Sequence, residues 1–123
     1  MKRFPSVRKN SEFQRVYKQG KSLANAFLVM YVAENGLEYN RLGVSCSKKI
    51  GNSVVRHTMA RKLREIFRLN KQASVTGSDI ILVVRKRAAY ATYQELEKAY
   101  LELCGRHHMK SELKRKVPES TES

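Results

Sequence analysis

Between Lys48 and Arg68 the chain reads KKIGNSVVRHTMARKLREIFR, in which Lys48, Lys49, Arg56, Arg61, Lys62, Arg64 and Arg68 stand against the single acid Glu65. The chemistry such residues do is anion binding. Ammonium groups act on phosphate as point charges, and guanidinium groups add planar hydrogen bonding and stacking. At helical spacing Val55, Met59, Leu63 and Ile66 share one side, while His57, Arg61, Arg64 and Arg68 gather on the other within an arc of roughly 60°. One side docks on a core and the other shows cations to a partner. A merely solvated face usually mixes charge signs, and this one hardly does. Gly51 and Asn52 precede the helix, where free backbone N–H groups can point at a phosphate.

Groups for covalent or metal chemistry are scarce by comparison. Metal-assisted phosphodiester cleavage needs clustered acids. Asp79 is the only Asp, and the glutamates are scattered, Glu65 among arginines. The glycines of GVSCSKKIG lack the Gly-Lys-Ser/Thr ending of a phosphate-binding loop. No Ser-His-Asp order is apparent. Cys104, His107 and His108 form a C-x-x-H-H group without a second Cys-rich half, which reads as a surface cluster and not a zinc site. No catalytic residue and no protein-bound metal is expected.

Composition sets the partner class. The chain has 123 residues, 41% of them hydrophobic, enough for one domain with a modest core. Its 25 Lys and Arg face 11 acids, a net charge of +14. That field attracts polyanions, nucleic acid first and anionic membrane surfaces second. No apolar run approaches the roughly 20 residues of a spanning helix. The basic start MKRFPSVRKN is followed by no apolar export segment. Cys46 and Cys104 fall in no paired motif and read as buried, reduced thiols of a cytoplasmic protein.

The elements that must position the basic stretch follow from local pattern. Residues 1–9 form a basic extended arm. Ser11 with Gln14 fits a capping box, Phe13, Val16 and Tyr17 fall at i, i+3, i+4, and Gly20 fits the C′ stop of a first helix. Ser22–Ala33 is extended, with Phe27, Val29 and Tyr31 on one face and Leu28, Met30 and Val32 on the other. Asn35-Gly36 turns the chain toward a strand over Asn40–Ser47, which predicts an antiparallel pair. The basic helix spans about Asn52 to Asn70. Residues 75–78 form a loop, and DIILVVR from Asp79 is an interior strand. Lys86 to Tyr90 makes a second basic connection. Thr92 and Glu95 box the last helix, whose stripe is Tyr93, Leu96, Ala99, Tyr100 and Leu103, and Gly105 stops it. The domain covers 10–109, and residues 110–123 form a polar tail too poor in apolar surface to order. The result is an α/β two-layer sandwich in α-β-β-β-α-β-α order with a small mixed sheet. Phe13, Tyr17, Phe27 and Tyr31 are either ordinary core or the stacking wall of a cleft for unpaired bases.

KKIGNSVVRHTMARKLRE closely resembles the signature of the bacterial ribonuclease P protein subunits. NSEFQRVYKQGKSLAN, RLGVSCSKK and DIILVVRKRAAYATYQELEKAYLELC extend the likeness over most of the chain. His57, Thr58 and Ala60 depart from the usual Asn, Arg and Lys. The resemblance implies a left-handed crossover around the basic helix and a role beside a catalytic RNA. The holoenzyme removes the 5′ leader of precursor tRNA, with magnesium ions held at the RNA. It further implies that Gly51, Asn52, Arg56, His57, Arg61, Lys62, Arg64 and Arg68 meet the RNA subunit. Phe13, Tyr17, Phe27, Tyr31, Lys48 and Lys49 would then line a cleft for the single-stranded leader. Neither a membrane nor a small-molecule substrate is implied. The alternative readings are a ribosomal or other structural RNA-binding protein and a stand-alone nuclease, the latter disfavoured by the shortage of acids.

If six to ten phosphates are contacted, RNA affinity is expected to fall by roughly 10³–10⁵ between about 50 and 200 mM salt. A binding titration over that range checks it, and a salt slope near zero contradicts it.

Overall fold

The computed structural model describes residues 5–71 and 76–122, with side chains placed as far as residue 108. Met1–Phe4 of the basic arm and Val75 of the expected loop lie outside the described residues. The elements are α1 (Asn10–Gln19), β1 (Lys21–Ala24), β2 (Leu28–Glu34), β3 (Arg41–Ser45), α2 (Ser53–Leu69), β4 (Ser78–Val84), a 3₁₀ turn (Lys86–Tyr90) and α3 (Tyr93–Glu122). The order and the mixed α/β architecture are those the sequence predicts.

The pairing differs in one respect. The sheet runs β1-β2-β4-β3, with β4 antiparallel to β2 and parallel to β3. The predicted antiparallel pair of β2 and β3 is therefore absent, because β4 lies between them. An unbroken apolar strand needs a ladder on both edges and cover on both faces, and only an interior place supplies them. Asn35-Gly36 does turn the chain, with Gly36 at φ 71 and the Asn35 Oδ1 accepting from Leu37 N at 2.8 Å. The turn crosses the end of β4 and closes no hairpin. The outer edge of β3 is partly covered by the arm. Val7 N donates to Leu42 O at 2.9 Å and Leu42 N to Pro5 O at 3.1 Å.

Helices lie on both faces. On one, Leu28, Met30, Ile80 and Leu82 meet the buried side of α2 and α3 in the main core. On the other, α1 seats Val16 against Ala33 and Ile81. Met59, Leu63 and Ile66 of α2 are buried as expected, and Phe67 joins them. Val55 does not, being 38% exposed: it sits in the first turn, folded over Gly51.

Caps set the helix ends. Asn52 Oδ1 accepts from Val55 N at 3.0 Å to start α2. Thr92 and Glu95 form the predicted reciprocal box at the start of α3, at 2.9 and 3.1 Å. The box predicted for Ser11 and Gln14 does not form. Lys9 is the N-cap of α1, and its backbone N–H donates to Glu12 Oε1 at 3.3 Å. Gly20 ends α1 in extended backbone, φ −78, so the left-handed C′ stop is not used. Glycine is required there by proximity, since a Cβ would come within 2.5 Å of Val16 O. Gly105 does not stop α3, whose backbone runs on to Glu122, past the boundary drawn at residue 110. An interior Gly costs a helix only about 1 kcal/mol. The buried side runs from Cys104 across it to His107, whose Nε2 lies 3.0 Å from Met30 O. Cys104 and His107 are thus core groups, and the expected surface cluster is not found. Burial pushes the Cys104 thiol up to about 11, against a smaller lowering by a hydrogen bond with Tyr100. Cys46 is only half-buried, contrary to expectation.

Local pattern carries no sign of what Asp79 does. Its carboxylate is fully buried at the start of β4. Arg41 Nε and Nη2 donate to its two oxygens at 2.7 and 2.6 Å, Asn35 Nδ2 donates at 3.0 Å, and Arg15 of α1 closes the set. Arg41 also reaches Glu12 of α1 at 2.8 Å. Burial alone would raise the Asp79 pKa, but the bonds from Arg41 and Asn35 and the charges of Arg41 and Arg15 outweigh it and hold the group below its usual value. A depressed carboxylate adds stability above its unfolded pKa, and that stability is lost as pH falls through the folded value. Stability is therefore expected to drop on acidification below about pH 4. Asp79→Asn should cost about 3 kcal/mol at neutral pH, since two partly buried arginines lose their charge partner. Urea unfolding at pH 7 and pH 3 checks both, and a variant as stable as the parent at pH 7 would refute the role given to Asp79.

Candidate nucleic-acid interface

α2 presents the predicted basic row. His57, Arg61, Arg64 and Arg68 are exposed, and Lys62 is half-buried. Among the described residues no carboxylate pairs with Arg56, Arg61, Lys62 or Arg64. Arg68 differs, since its Nη2 meets Glu65 Oε1 at 2.6 Å one turn away. Arg56 is half-buried, and its Nε is sealed from solvent with no hydrogen-bond partner among the described residues. Its charge acts on Cys46, partly opposing the rise that burial gives that thiol. Lys48 and Lys49 are exposed in the turn leading to α2. Asn52 is engaged in capping, so the Val55 N–H is already satisfied and one fewer N–H group is free for a phosphate.

Three of the four predicted aromatics come together. Phe13 and Tyr17 stand one turn apart on α1, with ring centroids 6.2 Å apart. Tyr17 meets Tyr31 of β2 edge-on, at 4.9 Å and 73°. All three are half-buried, so one side of each stays accessible. Phe27 is not with them. It packs against the α2–α3 core on the other face. It precedes β2, and its backbone is held by Asn25 Oδ1 and by Arg85 N, so strand alternation does not reach it.

A groove of about 570 Å³ connects the two surfaces, and Val7, Arg8, Phe13, Gly43, Val44 and Arg64 line it. Arg64 from α2 thus shares a recess with Phe13 from α1, across β3. Gly43 makes this possible, because a Cβ there would lie 2.8 Å from Phe13 Cζ. Arg8 and Gly43 were not foreseen as site residues. A glycine inside a strand is a sign of close approach and could have pointed to the second. Among the described residues no three His, Cys, Asp or Glu side chains gather as metal ligands. Nor is any described helix long and apolar enough to cross a membrane.

The family model described as Ribonuclease P matches residues 1–108. The ribonuclease P protein component of Lachnoclostridium phytofermentans is 48% identical over 102 residues, covering 83% of this chain and 88% of that one. That of Alkaliphilus oremlandii is 46% identical over 103 residues, covering 84% and 90%. Among solved structures, the RNase P protein from Thermotoga maritima matches with a TM-score of 0.77 at 32% identity, over 82% of this chain and 96% of that one. The Staphylococcus aureus RNase P protein matches at 0.75 and 34% identity, over 82% and 93%. No comparison favours a ribosomal or other structural RNA-binding protein. Agreement in signature, fold and relatives over most of its length places this chain in the ribonuclease P protein family, the protein components of the tRNA-processing ribonucleoprotein endonuclease.

Proposed function

We propose that the chain holds two RNAs on adjoining surfaces. The exposed row of α2, with Arg61 at its centre and half-buried Arg56 beside it, meets the catalytic RNA subunit. The recess between α1 and the sheet takes the single-stranded 5′ leader of precursor tRNA. Leader bases pack against Phe13, Tyr17 and Tyr31, and Lys48 and Lys49 hold phosphates nearby. The groove shared by Phe13 and Arg64 supports this reading, because it brings a stacking ring and a guanidinium that pairs with no carboxylate among the described residues into one recess.

Hydrolysis leaves a 5′-phosphate on the mature tRNA and a 3′-hydroxyl on the leader. The reacting groups and magnesium ions belong to the RNA. This chain's one Asp is neutralised by arginines and buried away from the groove. Its own residues bind and orient the substrate, in the cytoplasm.

The direct test compares precursor cleavage by the protein alone, by ribonuclease P RNA alone at low magnesium, and by both. Cleavage at low magnesium only with both is expected, and a protein that gives the RNA no help contradicts the proposal. Two variants separate the surfaces. Tyr31→Ala should weaken precursor binding roughly five-fold or more and leave mature tRNA binding unchanged, as loss of one stacked base predicts. Arg61→Ala should lower affinity for the RNA subunit alone, whereas Arg64→Ala should lower both. Equal losses for precursor and mature tRNA on changing Tyr31 would return that residue to the core.

A further inference from the structure

Two contacts run side by side from the first turn of α1 to β3. Arg41 and Gly43 share one face of β3 by strand alternation, and Glu12 and Phe13 are consecutive on α1. Arg41 Nη1 meets Glu12 Oε2 at 2.8 Å. The Phe13 ring lies over Gly43, so close that a Cβ there would come within 2.8 Å of Phe13 Cζ and 3.1 Å of Cε1. An ion pair and a ring contact thus cross the same narrow gap, one residue apart on the helix and two apart on the strand.

The apolar seat of α1 is small. Only Val16 of that helix is fully buried, against Ala33 of β2 and Ile81 of β4. Apolar attraction is non-directional, so a helix seated at one point can still swing about it. Directional bonds decide how it lies. Arg15 ties the helix to Asp79 and to Glu34 O, the latter at 3.2 Å. One turn earlier, Glu12 ties it to β3 through Arg41.

Arg41 is not free to follow a moving helix. Its Nε and Nη2 are taken by the two oxygens of buried Asp79, at 2.7 and 2.6 Å, which leaves Nη1 pointing at Glu12. A guanidinium held by two parallel bonds fixes direction as well as energy. Glu12 is equally committed. Its Oε1 accepts from the Lys9 N–H at 3.3 Å, so one carboxylate both starts α1 and pins its first turn to the sheet. The side chains of Arg41 and Glu12 are 21% and 27% exposed, and a pair so open to water adds little to stability while still setting an angle. What that angle sets is the place of Phe13, the one ring in the groove with Arg8, Gly43 and Arg64.

We propose that Glu12 is a positioning residue for the leader recess: through Arg41 it holds the Phe13 ring over Gly43, where a leader base packs on it. Glu12 acts through Phe13 and not on RNA, whose phosphates repel a carboxylate. This rests on the leader reading above and names the group that sets the geometry of that recess.

The test uses holoenzyme reconstituted with ribonuclease P RNA. Glu12→Gln keeps an acceptor oxygen for the Lys9 cap but faces Arg41 without charge. Phe13→Ala should weaken precursor binding roughly five-fold or more, as loss of one stacked base predicts. Glu12→Gln should weaken it roughly three-fold, a part of that stacking contribution, with mature tRNA and RNA-subunit affinities unchanged. In the Phe13→Ala background Glu12→Gln should cost nothing further, because the ring it positions is gone. Fluorine NMR of a fluorinated phenylalanine at position 13 should show the ring resonance move on Glu12→Gln, and urea unfolding should show the variant nearly as stable as the parent. Wild-type precursor affinity for Glu12→Gln overturns the proposal. So does an unmoved ring resonance, an undiminished loss in the Phe13→Ala background, an equal loss for mature tRNA, or a loss no larger than the unfolded fraction explains. Phe13→Ala alone separates the two ideas. If it weakens precursor binding and Glu12→Gln does not, only the positioning role fails; if Phe13→Ala has no effect, the place of Phe13 in the leader recess fails with it.

Discussion

The burial of β4 is the constraint from which most of this structure follows. Six of its seven residues are buried, so it must have a neighbour on each edge and apolar cover on each face. That demand separates β2 from β3 and draws α2 and α3 onto one face and α1 onto the other. Burying each of its aliphatic side chains is worth about 1.5–3 kcal/mol. Asp79 at its start is the one expensive member, tolerable only because its oxygens are filled by donors. Two of those donors, Arg15 and Arg41, come from α1 and β3. The carboxylate at the start of the strand thus also helps to seat α1, and with it Phe13 and Tyr17.

Function uses what this packing leaves outside. The cations of α2 project from a helix whose other side is committed to the core through Met59, Leu63, Ile66 and Phe67. They repel one another without an anion, and among the described residues only Arg68 has a carboxylate of its own. Such a row is disposed toward a phosphate backbone before any is present, and binding relieves repulsion as well as forming contacts. The recess beside α1 is built differently. One ring, Phe13, and a glycine, Gly43, stand in it between two cations, Arg8 and Arg64, so apolar and charged surface meet in one groove.

Much of this was legible in local pattern. The register of α2, its Asn52 cap and the interior nature of β4 follow from spacing and composition. So do the Thr92–Glu95 box and the pairing of Phe13 with Tyr17 on one helical face. What was not legible depended on partners distant in sequence. Nothing in Arg41–Ser45 says that its neighbour is β4 and not β2. Phe27 obeys its own backbone contacts and not the alternation of the strand it precedes. Gly20 and Gly105 look alike as stop signals, yet one is required by a nearby carbonyl and the other is simply tolerated. The role of Asp79 is hidden in the sequence because its partners, Arg15, Asn35 and Arg41, come from three separate segments.

The strand order has a consequence for how the molecule assembles. β1 and β2 are neighbours in sequence and can pair early. β3 has no partner in the sheet until β4 has been made, and α2 stands between them in the chain. On a ribosome, everything through the basic helix emerges before the strand that completes the sheet. Long-range pairing of this kind raises the entropic barrier to folding and delays closure. The nascent chain therefore presents its cationic segment before it has a finished core, and the first anion it meets can take part in its folding.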